Sequence, residues 1–146
     1  MKILVVAVGR VKDRPLREAL DEYIGRLRRY LPCEEIELAD APAARLEPAF
    51  ARATATASTV IALEVGGRAF TSEAFARELE RRGSQGKGVV AFLIGGADGL
   101  PPAVSRAAHE RVSLSTLTFP HRLARLVLCE QLYRAMTILR GEPYGH

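Results

Sequence analysis

Apolar positions change period several times along the chain, and each change marks an element. Lys2–Val8 (KILVVAV) is a continuous apolar run that stops at Gly9. A run without polar alternation fits a strand buried on both faces, as in a parallel sheet. From Leu16 the period becomes helical: Leu16, Leu20, Tyr23, Ile24, Leu27 and Leu31 recur three or four apart, with Asp21, Glu22, Arg26, Arg28 and Arg29 between them. Pro15 sits in the first turn, where its missing N–H costs nothing, and the helix ends before Pro32. Glu34–Leu38 (EEIEL) alternates and predicts a short strand near a sheet edge.

Ala39–Arg45 reads as a loop, and the alanine-rich Leu46–Ala57 as a helix weakened by its threonines. Thr59–Val65 (TVIALEV) predicts a third strand, closed by a Gly66-Gly67 turn. Thr71 or Ser72 caps a helix over Glu73–Arg82, and the three glycines of Gly83–Gly88 end it. Val89–Ile94 (VVAFLI) is the most buried-looking strand. It runs into Gly95-Gly96-Ala97-Asp98-Gly99. Pro101-Pro102 opens a short helix to about His109, and Arg111–Leu114 is a fifth strand. A last helix runs from Pro120-His121 to about Leu139.

Strands and helices alternate throughout, which means one α/β domain over residues 1–146 with a mainly parallel sheet. The last helix carries an apolar stripe of Leu128, Leu132, Ala135, Met136 and Leu139. Its other side is mixed, with Leu123, Val127 and Ile138 among Glu130, Arg134 and Thr137. A helix serving one core shows a cleaner polar back, so the second face suggests a subunit interface or a site lined by Glu130 and Arg134.

Composition narrows the class. The chain is 48% hydrophobic and 26% charged, ordinary for a soluble domain. No run approaches the roughly 20 apolar residues that span a bilayer. The opening apolar run is short and lacks a cleavage site, so a first strand fits better than a signal peptide. Cys33 and Cys129 are far apart with no metal-ligand spacing, which fits a reduced, cytoplasmic protein without a metal site. The net charge of +4 comes mostly from arginine. That favours a polyanion such as RNA, although a general bias toward arginine and alanine accounts for it equally well. Arg10, Lys12, Arg14 and Arg17 cluster after the first strand and are candidates for RNA phosphates; a solvated charged surface is the default reading of such a run.

Two glycine turns follow strands, at Gly66-Gly67 and Gly95–Gly99. Ligands in parallel sheets bind outside the carboxyl ends of strands, and glycines there let them approach the backbone. Neither turn has the spacing of a phosphate loop or a dinucleotide fingerprint. The run before the last helix, SLSTLTFPH, is too polar for a strand and too apolar for a surface loop. Leu114–Pro120 therefore reads as a loop whose backbone N–H and C=O groups wrap a flat, mostly apolar ligand.

FLIGGADGL (Phe92–Leu100), SLSTLTFPHRLARL (Ser113–Leu126), QLYRA (Gln131–Ala135) and Pro143-Tyr144 occur in order. With the KILVVAVG opening, this arrangement resembles the RlmH family of SPOUT methyltransferases, which methylate N3 of a pseudouridine in large-subunit ribosomal RNA. The resemblance covers the whole chain. It implies an α/β knot, with the C-terminal segment threaded to make a trefoil and helices on both sheet faces. It implies S-adenosylmethionine bent in that knot, its adenine against backbone from Leu63, Gly95, Gly96 and Ser115, Thr116, Leu117, Thr118, Phe119 and Pro120. It also implies a homodimer with the last helix in the interface. The chain departs from the family pattern where GGPEG becomes GGADG, and where Gly145 stands between Tyr144 and His146.

Methyl transfer from a sulfonium depends mainly on alignment, but the target imino nitrogen must lose a proton. His121 is the first candidate base, against a role as a helix cap. Arg134 could hold a phosphate or the developing anionic base, or simply pair with Glu130. Tyr144 could stack on the extruded base, or anchor the tail. His109 reads as a surface helix residue without a role. An assembled ribosome is the favoured substrate, since a small dimer has little surface for reading RNA alone. The rival classes are a nucleotide-binding module and a catalytically silent SPOUT-like RNA-binding protein.

Overall fold

A computed structural model describes residues 1–144 of the chain. In order the elements are β1 (Lys2–Val8), α1 (Arg14–Leu27), β2 (Cys33–Leu38), α2 (Ala43–Ala53) and β3 (Thr59–Ala69). They continue with α3 (Ser72–Gly83), β4 (Val89–Ile94), α4 (Pro102–Ala107), β5 (Glu110–Ser113) and α5 (His121–Leu139). The five strands form one sheet in the order β2-β1-β4-β3-β5, and every neighbouring pair is parallel.

Side-chain alternation explains why the central strands read as unbroken apolar runs. On one face Ile3, Val5 and Ala7 of β1 join Val90, Phe92 and Ile94 of β4 under α1, α3 and α5. On the other, Leu4, Val6, Val8, Ala91 and Leu93 meet Leu46 and Phe50 of α2 and Val104 of α4. Both faces are covered, as the resemblance implies, and β2 lies at an edge as its polar alternation predicts. Asp13 caps α1 by accepting the Leu16 N–H at 3.2 Å, and Thr71 caps α3 by accepting from Ala74 at 3.0 Å.

Several boundaries differ from expectation for identifiable reasons. Helix α2 starts at Ala43 and stops at Ala53, with Pro48 inside it and the Thr54 hydroxyl bonded back to the Phe50 carbonyl. Helix α4 ends at Ala107. His109 lies beyond it rather than on a helix surface: its N–H donates to the Val60 carbonyl and its Nδ1 accepts the Val60 N–H, each at 2.9 Å. It therefore ties the start of β5 to β3.

The largest departure is in β3. Gly66-Gly67 is not a closing turn. The strand continues to Ala69, but Leu63 and Arg68 both register against Val112, so residues 64–67 bulge out of the ladder. Gly67 permits the close pass: a Cβ there would stand 2.7 Å from the Arg111 carbonyl carbon and the Val112 nitrogen. G67A is expected to destabilise the chain by about 1–3 kcal/mol, read as a lower urea midpoint at unchanged m-value.

Candidate functional site

The carboxyl ends of β3, β4 and β5 open onto a cleft of about 850 Å³. Three segments build it. The β3 bulge contributes Leu63, Glu64 and Val65; the end of β4 and its turn contribute Ile94, Gly95, Gly96, Ala97, Gly99 and Leu100; the loop after β5 contributes Leu114, Ser115 and Leu117–Pro120. His121 and Ala124 of α5 close one side.

Each segment has the sequence its geometry needs. Gly99 adopts φ +77°, and its N–H donates to the Gly96 carbonyl at 3.0 Å, which makes the turn tight. A Cβ on Gly95 would overlap the Gly99–Leu100 backbone. In the loop, the Ser115 hydroxyl accepts the Leu117 N–H at 3.0 Å, and the Ser113 hydroxyl donates to the Ser115 carbonyl at 2.8 Å. The amides of Thr116, Thr118 and Phe119 donate to no protein group among the described residues. Leu117 is 71% and Val65 47% exposed. Apolar walls with open backbone donors suit a flat heteroaromatic group with a polar edge, as adenine is.

Of the residues singled out for the donor, Leu63, Gly95, Gly96, Ser115, Leu117, Thr118, Phe119 and Pro120 line this cleft; Thr116 is exposed and outside the lining. Glu64 and Val65 were not anticipated, because the bulge that presents them lies where the glycine pair reads as a turn.

His121 is the first residue of α5 and half-buried. It does not cap the helix; Pro120 stands at that position without a side-chain bond. Burial lowers its pKa below the ordinary 6.5, Arg122 and Arg125 lower it further, and Asp40 opposes them. The imidazole is therefore neutral at neutral pH and able to accept a proton.

Arg134 and Tyr144 lie outside the cleft lining of their own chain. Arg134 pairs with Glu130 at 2.9 Å, and its guanidinium carbon sits 4.7 Å from the Tyr144 ring centroid. The Tyr144 hydroxyl donates to Glu130 at 2.9 Å, and its ring meets Tyr133 edge-on at 4.7 Å. Burial, then Tyr23 and Glu130, push its phenol up, so it stays protonated. Tyr23 and Tyr30 also pack on Tyr133, at 6.3 and 6.2 Å. One chain thus does not bring His121, Arg134 and Tyr144 together. His146 falls outside the described residues.

The basic cluster divides. Arg10 and Lys12 are exposed, and Arg14 pairs with Glu18 at 3.1 Å on the surface. Arg17 pairs with Asp21 along its own helix and with Glu35 and Glu37 of β2. Burial alone would lower its pKa, but Glu35 and Asp21 outweigh that and raise it. Its guanidinium is thus engaged by carboxylates of the protein.

Sequence reading missed Arg125, which is wholly buried. Its Nη1 donates to Glu35 at 2.8 Å and Glu37 at 2.5 Å, and its Nη2 to the Gly9 carbonyl at 2.9 Å. The signal was present in EEIEL: Glu35 and Glu37 are two apart on a strand and share one face. Burial alone would raise the Glu37 carboxyl, but the Val11 N–H, Arg125 and Arg17 hold it below its ordinary 4.5. The stability that carboxylate contributes is present above that value and is lost as pH falls through the lowered one.

Solved structures share the architecture. A probable methylase family protein from Haemophilus influenzae Rd KW20 superposes with a TM-score of 0.61 at 12% identity, over 99% of this chain and 70% of its own. A probable methyltransferase from Bordetella pertussis Tohama I gives 0.60 at 14%, over 92% and 95%. The family profile described as "Predicted SPOUT methyltransferase" matches residues 1–146, so the chain is a SPOUT methyltransferase by class. Within that class the chain belongs to the family of ribosomal RNA large subunit methyltransferase H. It is 71% identical over 146 residues, covering all of both chains, to the member from Sorangium cellulosum (strain So ce56). It is 49% identical, over 99% of each, to that of Anaeromyxobacter dehalogenans (strain 2CP-C). Its cofactor is S-adenosylmethionine.

Because Gly95 has no room for a side chain, G95A must displace the Gly99–Leu100 backbone that walls the cleft. S-adenosylmethionine affinity, measured by calorimetry, is expected to fall at least tenfold while the circular dichroism of the fold is retained.

Proposed function

We propose that this chain transfers the methyl group of S-adenosylmethionine to N3 of a pseudouridine in large-subunit ribosomal RNA. The observation that carries the reading is the cleft itself, walled by open backbone amides and apolar side chains, with a neutral imidazole on one side. When bound, the donor supplies a methyl group already activated on its sulfonium. Leu63, Gly95, Gly96, Ser115 and the Leu117–Pro120 backbone would hold the adenosine, excluding water from one side of it. His121 accepts the N3 proton of the target base.

Arg134 and Tyr144 lie away from their own chain's cleft, and two copies of the chain resolve this. The copies meet through the outward face of α5, where Leu123 is 42% exposed and Val127 and Ile138 are half-buried. Each Arg134 then serves the partner's cleft by stabilising the anionic base, and each Tyr144 stacks on the extruded base. The C-terminal segment threads the trefoil that creates the cofactor loop. Arg10, Lys12 and Arg14 meet RNA phosphates, with Arg17 braced behind them. Such a small dimer finds its target within an assembled ribosome in the cytoplasm; no described helix is long and apolar enough to cross a membrane.

Incubating pseudouridylated large subunits from an unmethylated source with labelled S-adenosylmethionine tests the activity. N3-methylpseudouridine in the nuclease digest is the expected product. Donor binding without incorporated label would leave a silent RNA-binding protein. H121A is expected to lower kcat by about 10²–10⁴-fold. In the parent chain kcat should fall on acidification only below the ordinary histidine range, as His121 takes up a proton.

A further inference from the structure

Arg125 lies one turn beyond His121 on α5, wholly buried and outside the cleft lining. Its bonds converge on the exit from β1. Nη2 holds the Gly9 carbonyl, while Nη1 binds Glu37, whose same oxygen accepts the Val11 N–H at 2.9 Å. Residues 9–11 are therefore gripped at both ends, one by the guanidinium and one by the carboxylate it pairs with. Arg17 backs both Glu35 and Glu37 from α1.

This segment abuts the candidate base. Gly9 has φ +90°, and the place a Cβ would take is 3.9 Å from His121 Nε2. Arg125 thus fixes both the helical turn that carries His121 and the backbone beside its ring. Its Nε has no hydrogen-bond partner among the described residues. A buried donor left unpaired costs stability, so the side chain is placed for the contacts at its far end. The charged groups around the imidazole are Arg122 and Arg125 of α5 and Asp40 of the loop after β2.

We propose that Arg125, with Glu37, is a positioning residue that holds the His121 ring against the Gly9–Val11 segment in the orientation needed to accept the substrate proton. The proposal rests on the reading of His121 as proton acceptor. It assigns Arg125 no contact with donor or RNA. Loosening the clamp should therefore affect turnover far more than donor binding.

Two variants test it. R125K keeps a positive charge but loses the planar fork to Glu35, Glu37 and Gly9. E37Q keeps an acceptor for Val11 but loses the charge. Each is checked for folding by circular dichroism and thermal melting. Calorimetry then gives the S-adenosylmethionine Kd, the ribosome assay gives kcat, and imidazole NMR, assigned with H121N, follows the His121 titration without turnover. Donor Kd within threefold of the parent, kcat at least tenfold lower, and His121 titrating closer to an ordinary histidine are expected for R125K. E37Q, which leaves the Arg125 charge without one of its carboxylates, should lower kcat in smaller measure and move the His121 titration further down. A lowered melting temperature with parental kcat and a parental His121 titration would overturn the proposal. If R125K does not fold, E37Q carries the same comparison alone. Full turnover by H121N would refute the proton-acceptor reading separately; the His121 titration then decides the positioning claim, a shift sustaining it and an unshifted curve ending it.

Discussion

A guanidinium with no exposure to water sits at the centre of this fold. An isolated buried charge costs several kcal/mol, and removing one partner of a buried pair costs about 3–5 kcal/mol. Arg125 is tolerable only because Glu35 and Glu37 of β2 and the Gly9 carbonyl of β1 surround it. Apolar packing would let α5 slide along the sheet, whereas this cluster admits one register. It ties the last helix to the first two strands, more than 85 residues away in the chain. The first turn of α5 carries His121 at one side of the cleft, so the same cluster sets where that ring stands.

The cleft is built mainly from backbone. Gly95, Gly96, Gly99 and the loop after β5 present carbonyl and amide groups, and few of the lining side chains are ionisable. Such a surface recognises a nucleoside by shape and hydrogen bonding without fixing much charge, leaving the sulfonium as the main local charge when donor is bound. The four-residue bulge in β3 belongs to the same scheme. It breaks the ladder with β5 and moves Glu64 and Val65 into the lining.

The sheet was legible in the sequence because its central strands are buried on both sides, and KILVVAV and VVAFLI have no other economical reading. The glycine turn after β4 and the loop before α5 were legible by composition, and more so by resemblance. What escaped was produced by partners distant in sequence. Gly66-Gly67 reads as a turn in isolation; only the approach of Arg111 and Val112 shows that it is a pinch within a strand. Arg17 looked like one of four surface cations because its carboxylate partners on β2 lie 18 and 20 residues on. Arg125 gave no local signal for the same reason, since its partners lie 88 and 90 residues away. Local periodicity predicts that charged positions face water, and it fails where opposite charges from separate elements are buried together.

The gathering of aromatic rings at the far end of α5 has an optical consequence. The chain has four tyrosines and no tryptophan, and Tyr23, Tyr30, Tyr133 and Tyr144 all belong to that one cluster. Its intrinsic ultraviolet emission therefore arises from a single place, outside the lining of its own chain's cleft and beside the carboxyl-terminal segment. Fluorescence from this molecule therefore reports on whether Tyr144 is seated against Tyr133 and Glu130.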